Sequence, residues 1–494
     1  MRKLGCIIVL FILPSLQGIA QTFDFNLRCQ DAYESIFSLR LEEGQNLLTQ
    51  EKQSNPDNLI PLLLENYIDF FTVFITEEEA EMDARSANKD KRLDLLEKGD
   101  VNSPYYLFSQ AEVNLQWAFA RIKFAQYFKA VWEIRKAYKL LEANQKKFPD
   151  FAPNKKSLGI LHAMVGTVPD NYQWGMKILG MQGTIAQGMG EIKSYLQYSE
   201  NNNRLLYDET KILHSFFLIY IDTKTEQAWQ IAQQLPTQTH LMNTLIAAQL
   251  AFRTGHNDYA IQLLLNRPKG SEYLDYYLLD FLLGSMKVNR LDEDADVYLK
   301  RFVNNFKGKH FIKEAYQKLA WHALVIHKDE AAYRKYMVLC KSKGSKWADP
   351  DKQAYKEAKE GTMPNQTLLK GRLLFDGGYF EKALGVLNAA SIQVYKTPVE
   401  HLECHYRFGR IYEGLGDNEQ AVAYYKRTIN ENDDVAGNHF FAPKAALQLG
   451  KLYERQNNEE MALIYFKKCL RFKNHEYKDS IDQQAKAGMN RLKG

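Results

Sequence analysis

Small and large apolar residues recur at fixed steps in the C-terminal half of the chain. The stretch GRLLFDGGYFEKALGVLNAA at 371–390 is followed by GRIYEGLGDNEQAVAYYKRT at 409–428 and by GKLYERQNNEEMALIYFKKC at 450–469. In each copy an alanine follows the first glycine by twelve residues, and a large apolar residue follows that alanine by four. Glycine, asparagine or aspartate between the two halves indicates a turn, so each copy predicts two antiparallel amphipathic helices. The predicted packing positions are Gly371, Ala383, Gly409, Ala421, Gly450 and Ala462.

The small residues indicate how the two helices of each copy meet. A glycine on one helix and an alanine on the other allow a close crossing, which bulky side chains would prevent. We expect the large residue, such as Tyr425, to fill the space between neighbouring hairpins. A single hairpin cannot bury its apolar face alone, so the pattern predicts an all-α fold of stacked hairpins.

The order of small, bulky and small residues resembles the tetratricopeptide repeat (TPR) family, which also places an aromatic residue three positions after the first small one. The resemblance implies an α-solenoid, a TPR-like superhelix of stacked antiparallel helix hairpins. The clearest repeats are predicted at 364–397, 402–435 and 443–476. Weaker copies extend upstream and give about six hairpins over 241–477, and the polar tail 478–494 is predicted as a capping helix.

The N-terminal half, residues 21–240, is helical by periodicity but matches the repeat poorly. Its segment 158–196 contains seven glycines, and glycine is unfavourable inside helices. Close helix packing through small faces would explain them, and so would a ligand or partner pocket at the junction of the two halves. A phosphate-binding loop is disfavoured because the segment lacks the preceding strand and the glycine spacing of such loops.

The first residues of the chain have the pattern of an export signal. Two cations precede an apolar run at 4–16, and the small residues Gly18 and Ala20 follow it. This order predicts a cleaved signal peptide, residues 1–20, and therefore an exported protein of the periplasm or cell envelope. An uncleaved anchor is the alternative, but the run is short for a span of about 20 residues. We expect no transmembrane span after cleavage.

Charge and motifs exclude several function classes. A net charge of +4 is too small for the concentrated basic face that nucleic-acid binding requires. His401 and His405 flank Cys404 on a predicted helix, but no third ligand completes a metal site. We therefore expect no catalytic residues, no metal and no cofactor, and hence no enzyme. The cysteines after the signal are expected to be buried free thiols, because their spacing is not that of a disulfide framework; they are Cys29, Cys340, Cys404 and Cys469.

The resemblance implies a concave groove lined by the first helix of each repeat. In the family the residue after the small one faces this groove, and here it is Arg372, Arg410 or Lys451. Tyr406, one turn before Arg410, would face the same way. Such a row of cations beside an aromatic residue could bind an acidic or C-terminal peptide, although solvated cations without a partner are the alternative. The paired Lys and Asn positions of the family's carboxylate-clamp subset are absent.

Two functions are compatible with these observations. The first is an exported scaffold or adaptor that binds a protein or peptide partner in its groove. The alternative is an envelope binder of glycans or other small nutrients, because the length and helical-repeat content are similar to those of the SusD-like nutrient-capture proteins. The high aromatic content, 13% of the residues, is also compatible with this alternative.

Overall fold

The computed structural model describes residues 21–168, 173–202, 206–220, 225–434 and 438–492. The predicted signal peptide therefore lies outside the described residues. Within them the regular structure is helical, and a single bridge between Thr22 and Asn58 is the only β-type pairing. The protein is thus all-α.

The chain divides into two compact units. The N-terminal unit comprises residues up to 74 together with 80–214, and the C-terminal unit comprises 75–79 together with residues from 215 onward. The division falls earlier than the boundary expected at residue 240, because the helix at Thr225–Gln234 packs on the helix that follows it.

The N-terminal unit is built from paired helices. Its helices α1 and α2, α5 and α6, and α7 and α9 are in contact. The centre of its core is α5, on which Phe108 and Trp117 are each 1% exposed. The helices that lie wholly or mostly in this unit are α1 (Leu27–Phe37), α2 (Leu41–Ser54), α3 (Ile60–Thr76), α4 (Glu79–Leu96), α5 (Pro104–Lys123), α6 (Tyr127–Lys147), α7 (Asn154–Thr167), α8 (Gln173–Ile178), α9 (Ile185–Asn201) and α10 (Tyr207–Tyr220).

Glycines allow α7 and α9 to pack backbone against backbone. A Cβ atom on Gly188 would lie 2.6 Å from the Ala163 nitrogen and closer still to the Gly159 carbonyl oxygen. A Cβ atom on Gly183 would lie 2.5 Å from the Cα of His162. Because a backbone neighbour cannot rotate away, no larger residue fits at these positions. Close helix packing therefore explains part of the glycine-rich segment.

The described residues of the C-terminal unit contain six helix hairpins, an extra helix within the series, and one helix at each end, α11 and α25. The hairpins pair α12 with α13, α14 with α15, α16 with α17, α19 with α20, α21 with α22, and α23 with α24. The extra helix, α18, packs on α16 and α17, and its polar sequence did not predict it. The helices are α11 (Thr225–Gln234), α12 (Leu241–Arg253), α13 (Asn257–Leu265), α14 (Leu278–Arg290), α15 (Ala295–Asn305), α16 (Ile312–Val325), α17 (Glu330–Ser342), α18 (Asp349–Glu360), α19 (Gln366–Asp376), α20 (Phe380–Asn388), α21 (Pro398–Leu415), α22 (Asn418–Asn430), α23 (Phe441–Arg455), α24 (Glu459–Arg471) and α25 (Lys478–Arg491).

The turns inside the three clearest hairpins use the residues that their backbone requires. Gly378 has a φ of +81°, Gly416 of +80° and Asn457 of +57°. This left-handed region is strained for most residues but accessible to glycine and asparagine. The turn positions of the repeat thus follow from local sequence.

The large residue of each repeat packs on the glycine of its own hairpin. A Cβ atom on Gly409 would lie 2.6 Å from the Tyr425 ring, and one on Gly450 would lie 2.5 Å from the Phe466 ring. Gly371 has the same relation to a leucine of α20. The role expected from the sequence, filling the space between neighbouring hairpins, leaves out this close contact within the hairpin. The alanines of the repeat have no exposed surface; they are Ala383, Ala421 and Ala462.

Candidate functional site

The first helices of the C-terminal hairpins lie side by side. Helix α16 contacts α19, α19 contacts α21, α21 contacts α23, and α23 contacts the last helix α25. The residues predicted to line the groove lie on these helices, and together with Lys444 they are called the groove here. Its polar residues are Arg372, Tyr406, Arg410, Lys444 and Lys451.

Arg372 reaches from α19 back to the preceding hairpin. Its guanidinium lies 4.8 Å from the centre of the Trp321 ring on α16, and its Nε is 3.6 Å from Asp376 Oδ2. The side chain remains 40% exposed. A guanidinium that rests on an aromatic face is held in position while its outer N–H groups stay available to a ligand.

Arg410 makes the equivalent contact one hairpin later. Its guanidinium lies 4.8 Å from the centre of the Phe375 ring on α19 and donates a hydrogen bond of 3.2 Å to the Tyr406 hydroxyl. Tyr406 itself is only 4% exposed, because its ring packs against Phe440 and Phe441. Tyr406 therefore orients Arg410 and presents little of its own surface to a ligand.

Two lysines of α23 complete the groove. Lys451 donates a hydrogen bond of 2.8 Å to Gln484 Oε1 on α25, and burial together with nearby Arg491 and Arg410 lowers its pKa. Lys444 lies two turns before Lys451 on the same helix face. Burial, Lys451 and Arg410 lower the pKa of Lys444 to about 8. Sequence reasoning missed Lys444, although its spacing of seven from Lys451 was a readable signal.

The carboxylates close to these cations already have other partners. Glu413 accepts hydrogen bonds from the Tyr425 hydroxyl and from Arg455. Glu454 forms a bidentate ion pair with Arg491: Nε and Nη2 of Arg491 lie 2.7 and 2.8 Å from the two carboxylate oxygens.

By contrast, Arg410, Lys444 and Lys451 form no ion pair with a carboxylate in the part of the chain that the structure describes. Partly buried like charges repel one another, and an incoming carboxylate or phosphate would relieve that repulsion.

Helix α18 lies on another side of Arg372. Glu357 of α18 accepts hydrogen bonds from Trp321 Nε1 at 2.7 Å and from Gln317 at 2.6 Å. Burial raises the pKa of Glu357, although the charge of nearby Arg372 opposes this shift. The hydroxyl of Tyr477, just before α25, donates a hydrogen bond of 2.8 Å to Gln353 of α18. Helix α18 thus contacts the segment before α25, close to Arg372.

Comparison with known proteins supports the repeat pattern. The profile of the tetratricopeptide repeat family matches residues 402–434 and 443–475, and these segments begin where the spacing places two of the repeats. No curated protein gives a significant match to the chain. Among solved structures, a chain in "Structure of Naa15/Naa10 bound to HypK-THB" is similar at 13% identity, covering 94% of this chain and 79% of that chain, with a TM-score of 0.21. The profile matches and the stacked hairpins together show that the chain contains tetratricopeptide repeats, at residues 402–434 and 443–475.

Proposed function

We propose that the protein is an exported scaffold whose groove binds an acidic segment of a partner protein. The observation that supports this proposal most is the cluster of Arg410, Lys444 and Lys451 on the first helices. None of these three cations forms an ion pair with a carboxylate among the described residues. Repeat solenoids commonly use this face to bind extended segments of other proteins. The positive charge of the cluster selects for acidic side chains or a C-terminal carboxylate.

The chemistry of binding follows from the environment of each cation. A carboxylate near Lys444 would receive a charge-assisted hydrogen bond from the ammonium group, and Arg410 can donate two parallel hydrogen bonds. Hydrogen bonds to charged groups contribute about 1.5–3 kcal/mol each. Since the rings of Phe375 and Trp321 and the Tyr406 hydroxyl hold the arginines, little side-chain entropy is lost on binding.

Export to the periplasm or cell envelope is the second part of the proposal. It rests on the cations, the apolar run and the small residues within the first 20 positions. Among the described residues, no helix combines the length and the apolar character that a bilayer span requires. The proposed role is binding, without catalysis and without a cofactor.

In-cell cross-linking followed by mass spectrometry of the envelope fraction tests the proposal. The tagged full chain is compared with the triple variant Arg410→Gln, Lys444→Gln, Lys451→Gln. The matched control also removes one arginine and two lysines, with Arg334→Gln, Lys335→Gln and Lys341→Gln on exposed positions of α17.

The proposal predicts one dominant protein partner for the wild type and the control, and its loss in the groove variant. Equal capture by all three proteins would refute binding through the groove. A well-exported protein without any protein partner would instead favour the glycan-binding alternative, which titration with oligosaccharides would then examine.

A further inference from the structure

The N-terminal unit exposes a group of large apolar side chains on two neighbouring helices. On α6, Phe128 is 78% exposed, Trp132 50% and Val131 41%. On α8, Ile178 is 73% exposed and Trp174 64%. These five residues are called the aromatic patch. Exposure of this degree is costly for such residues, and clustered cases mark interaction surfaces.

Short contacts connect the two parts of the aromatic patch. The rings of Phe128 and Trp132 lie 6.2 Å apart, and the guanidinium of Arg135 lies 5.8 Å from the Trp132 ring. Arg135 also donates a hydrogen bond of 2.9 Å to the carbonyl of Leu179, the residue that follows Ile178. Trp174 is one turn before Ile178, so both lie on one face of α8.

The surroundings of the aromatic patch are positively charged. Lys129, Lys136 and Lys177 are exposed and have no hydrogen-bond or ion-pair partner in the part of the chain that the structure describes. Glu133 of α6 is 7% exposed and is neutralised by Lys89 and Arg121. Lys139 pairs with the exposed acid Glu142.

A shallow depression lies within this charged surface. It has a volume of about 450 Å³ and is lined by Trp132, Leu140 and three cations of α6, Arg135, Lys136 and Lys139. An arginine and two lysines around one concave spot suit a phosphate group.

We propose that the aromatic patch docks the N-terminal unit on an anionic membrane surface. Tryptophan is the side chain that prefers the headgroup level of a bilayer, and protruding Phe and Ile can enter the acyl boundary without a preformed pocket on the other side. The unpaired lysines then face anionic headgroups, and each such cation contributes about 1 kcal/mol, a factor of about five in affinity. This charge complementarity favours a lipid surface over an apolar protein face, which would leave the lysines without counter-charges.

Co-sedimentation with lipid vesicles tests the proposal. The full chain is mixed with vesicles of phosphatidylcholine alone or of equal parts phosphatidylcholine and phosphatidylglycerol. Two patch variants are compared with the wild type, Phe128→Ser with Ile178→Ser, and Lys129→Glu with Lys136→Glu.

Matched controls come from α17 of the other unit, where Val338 is 66% exposed. They are Val338→Ser, and Lys335→Glu with Lys341→Glu. Because residues 4–16 are apolar in every variant, the comparison between variants isolates the patch from the first residues of the chain.

The proposal predicts that only the mixed anionic vesicles bind the wild type strongly through the patch. We expect each patch variant to lose affinity by about tenfold or more and the controls to lose less than about twofold. Patch variants that bind as the wild type does would overturn the proposal. Loss of a protein partner in the patch variants, with unchanged vesicle binding, would also overturn it and assign the patch to a protein interface.

Discussion

Replacing Gly450 by alanine separates helix propensity from packing in the repeat. Alanine is favoured over glycine in a helix by about 1 kcal/mol, so propensity alone predicts a more stable protein. The structure predicts the opposite. The new Cβ atom would lie 2.5 Å from Phe466 Cδ1 and 2.6 Å from Cε1, well inside van der Waals contact. The Phe466 ring has little room to retreat, because its far edge lies so close to Gly488 of α25 that a Cβ atom there would be 2.6 Å from Cε2.

The expected magnitude follows from these two effects. Overpacking of a core costs typically about 1–3 kcal/mol, and a ring held on both sides belongs at the upper end. After the gain in helix propensity is subtracted from this cost, the variant should lose about 2 kcal/mol in its free energy of unfolding. Gly385→Ala is the matched control, because that glycine lies in α20 with no atom within 4 Å of the new Cβ. The control should gain about 0.5–1 kcal/mol.

Denaturant unfolding followed by circular dichroism measures both changes. A further variant, Phe466→Leu in the Gly450→Ala background, should recover about 1 kcal/mol if the ring causes the loss. Gly450→Ala and Gly385→Ala with the same sign of effect would refute the packing argument.

Four further outcomes are expected. Gly188→Ala should destabilise the N-terminal unit by about 3 kcal/mol, because its new Cβ meets backbone, whereas Gly190→Ala, open on the same helix, should not; thermal unfolding compares them. Lys156→Met should cost about 3–5 kcal/mol in a denaturant titration, because Lys156 is 1% exposed and ion-paired with two glutamates. The four described cysteines are buried and free, and burial raises their thiol pKa values, three of them to about 12. Because the thiolate is the reactive form, mass spectrometry should find these cysteines alkylated by iodoacetamide only after unfolding. The pKa of Lys444 lies below that of a free lysine, so its protonation lowers the free energy of unfolding below a pH of about 8, and this loss of stability fades as pH rises. Because a bound acidic peptide requires protonated Lys444, its affinity, measured by fluorescence anisotropy, should fall as pH rises through about 8.

The repeat architecture was predictable because its cause is local. In the three clearest hairpins a glycine, an alanine and a large residue at fixed steps define the helix crossing, and glycine or asparagine at positive φ defines the turn. Gly284 of α14 precedes Ala295 by eleven residues instead of twelve, and it still packs against Leu299 in the same way: a Cβ atom there would lie 2.7 Å from Leu299 Cγ. In the three upstream hairpins alanine replaces the first glycine or the spacing shifts by one position, and the remaining spacing still marks them.

The features that were missed depend on contacts between distant segments. Helix α18 carries no repeat pattern, and it is held by hydrogen bonds such as that from Trp321 to Glu357. Tyr406 has the spacing of a groove residue but is covered by Phe440 and Phe441, which lie outside the pattern. The low pKa of Lys444 arises from burial, from Lys451 on its own helix and from Arg410 on α21, and the burial and the nearness of Arg410 depend on how the helices pack.

Site-specific photo-cross-linking tests the central claim most directly. A photoreactive phenylalanine analogue is placed at Tyr477, which is 43% exposed close to Arg372, or at Tyr259, which is 38% exposed on α13. Both sites are tyrosines of similar exposure, so a difference in cross-linking reports their location. Binding in the groove predicts a discrete protein adduct at position 477 that disappears with the Arg410, Lys444 and Lys451 substitutions, and none at position 259. An adduct at position 259 with none at position 477 would contradict the account.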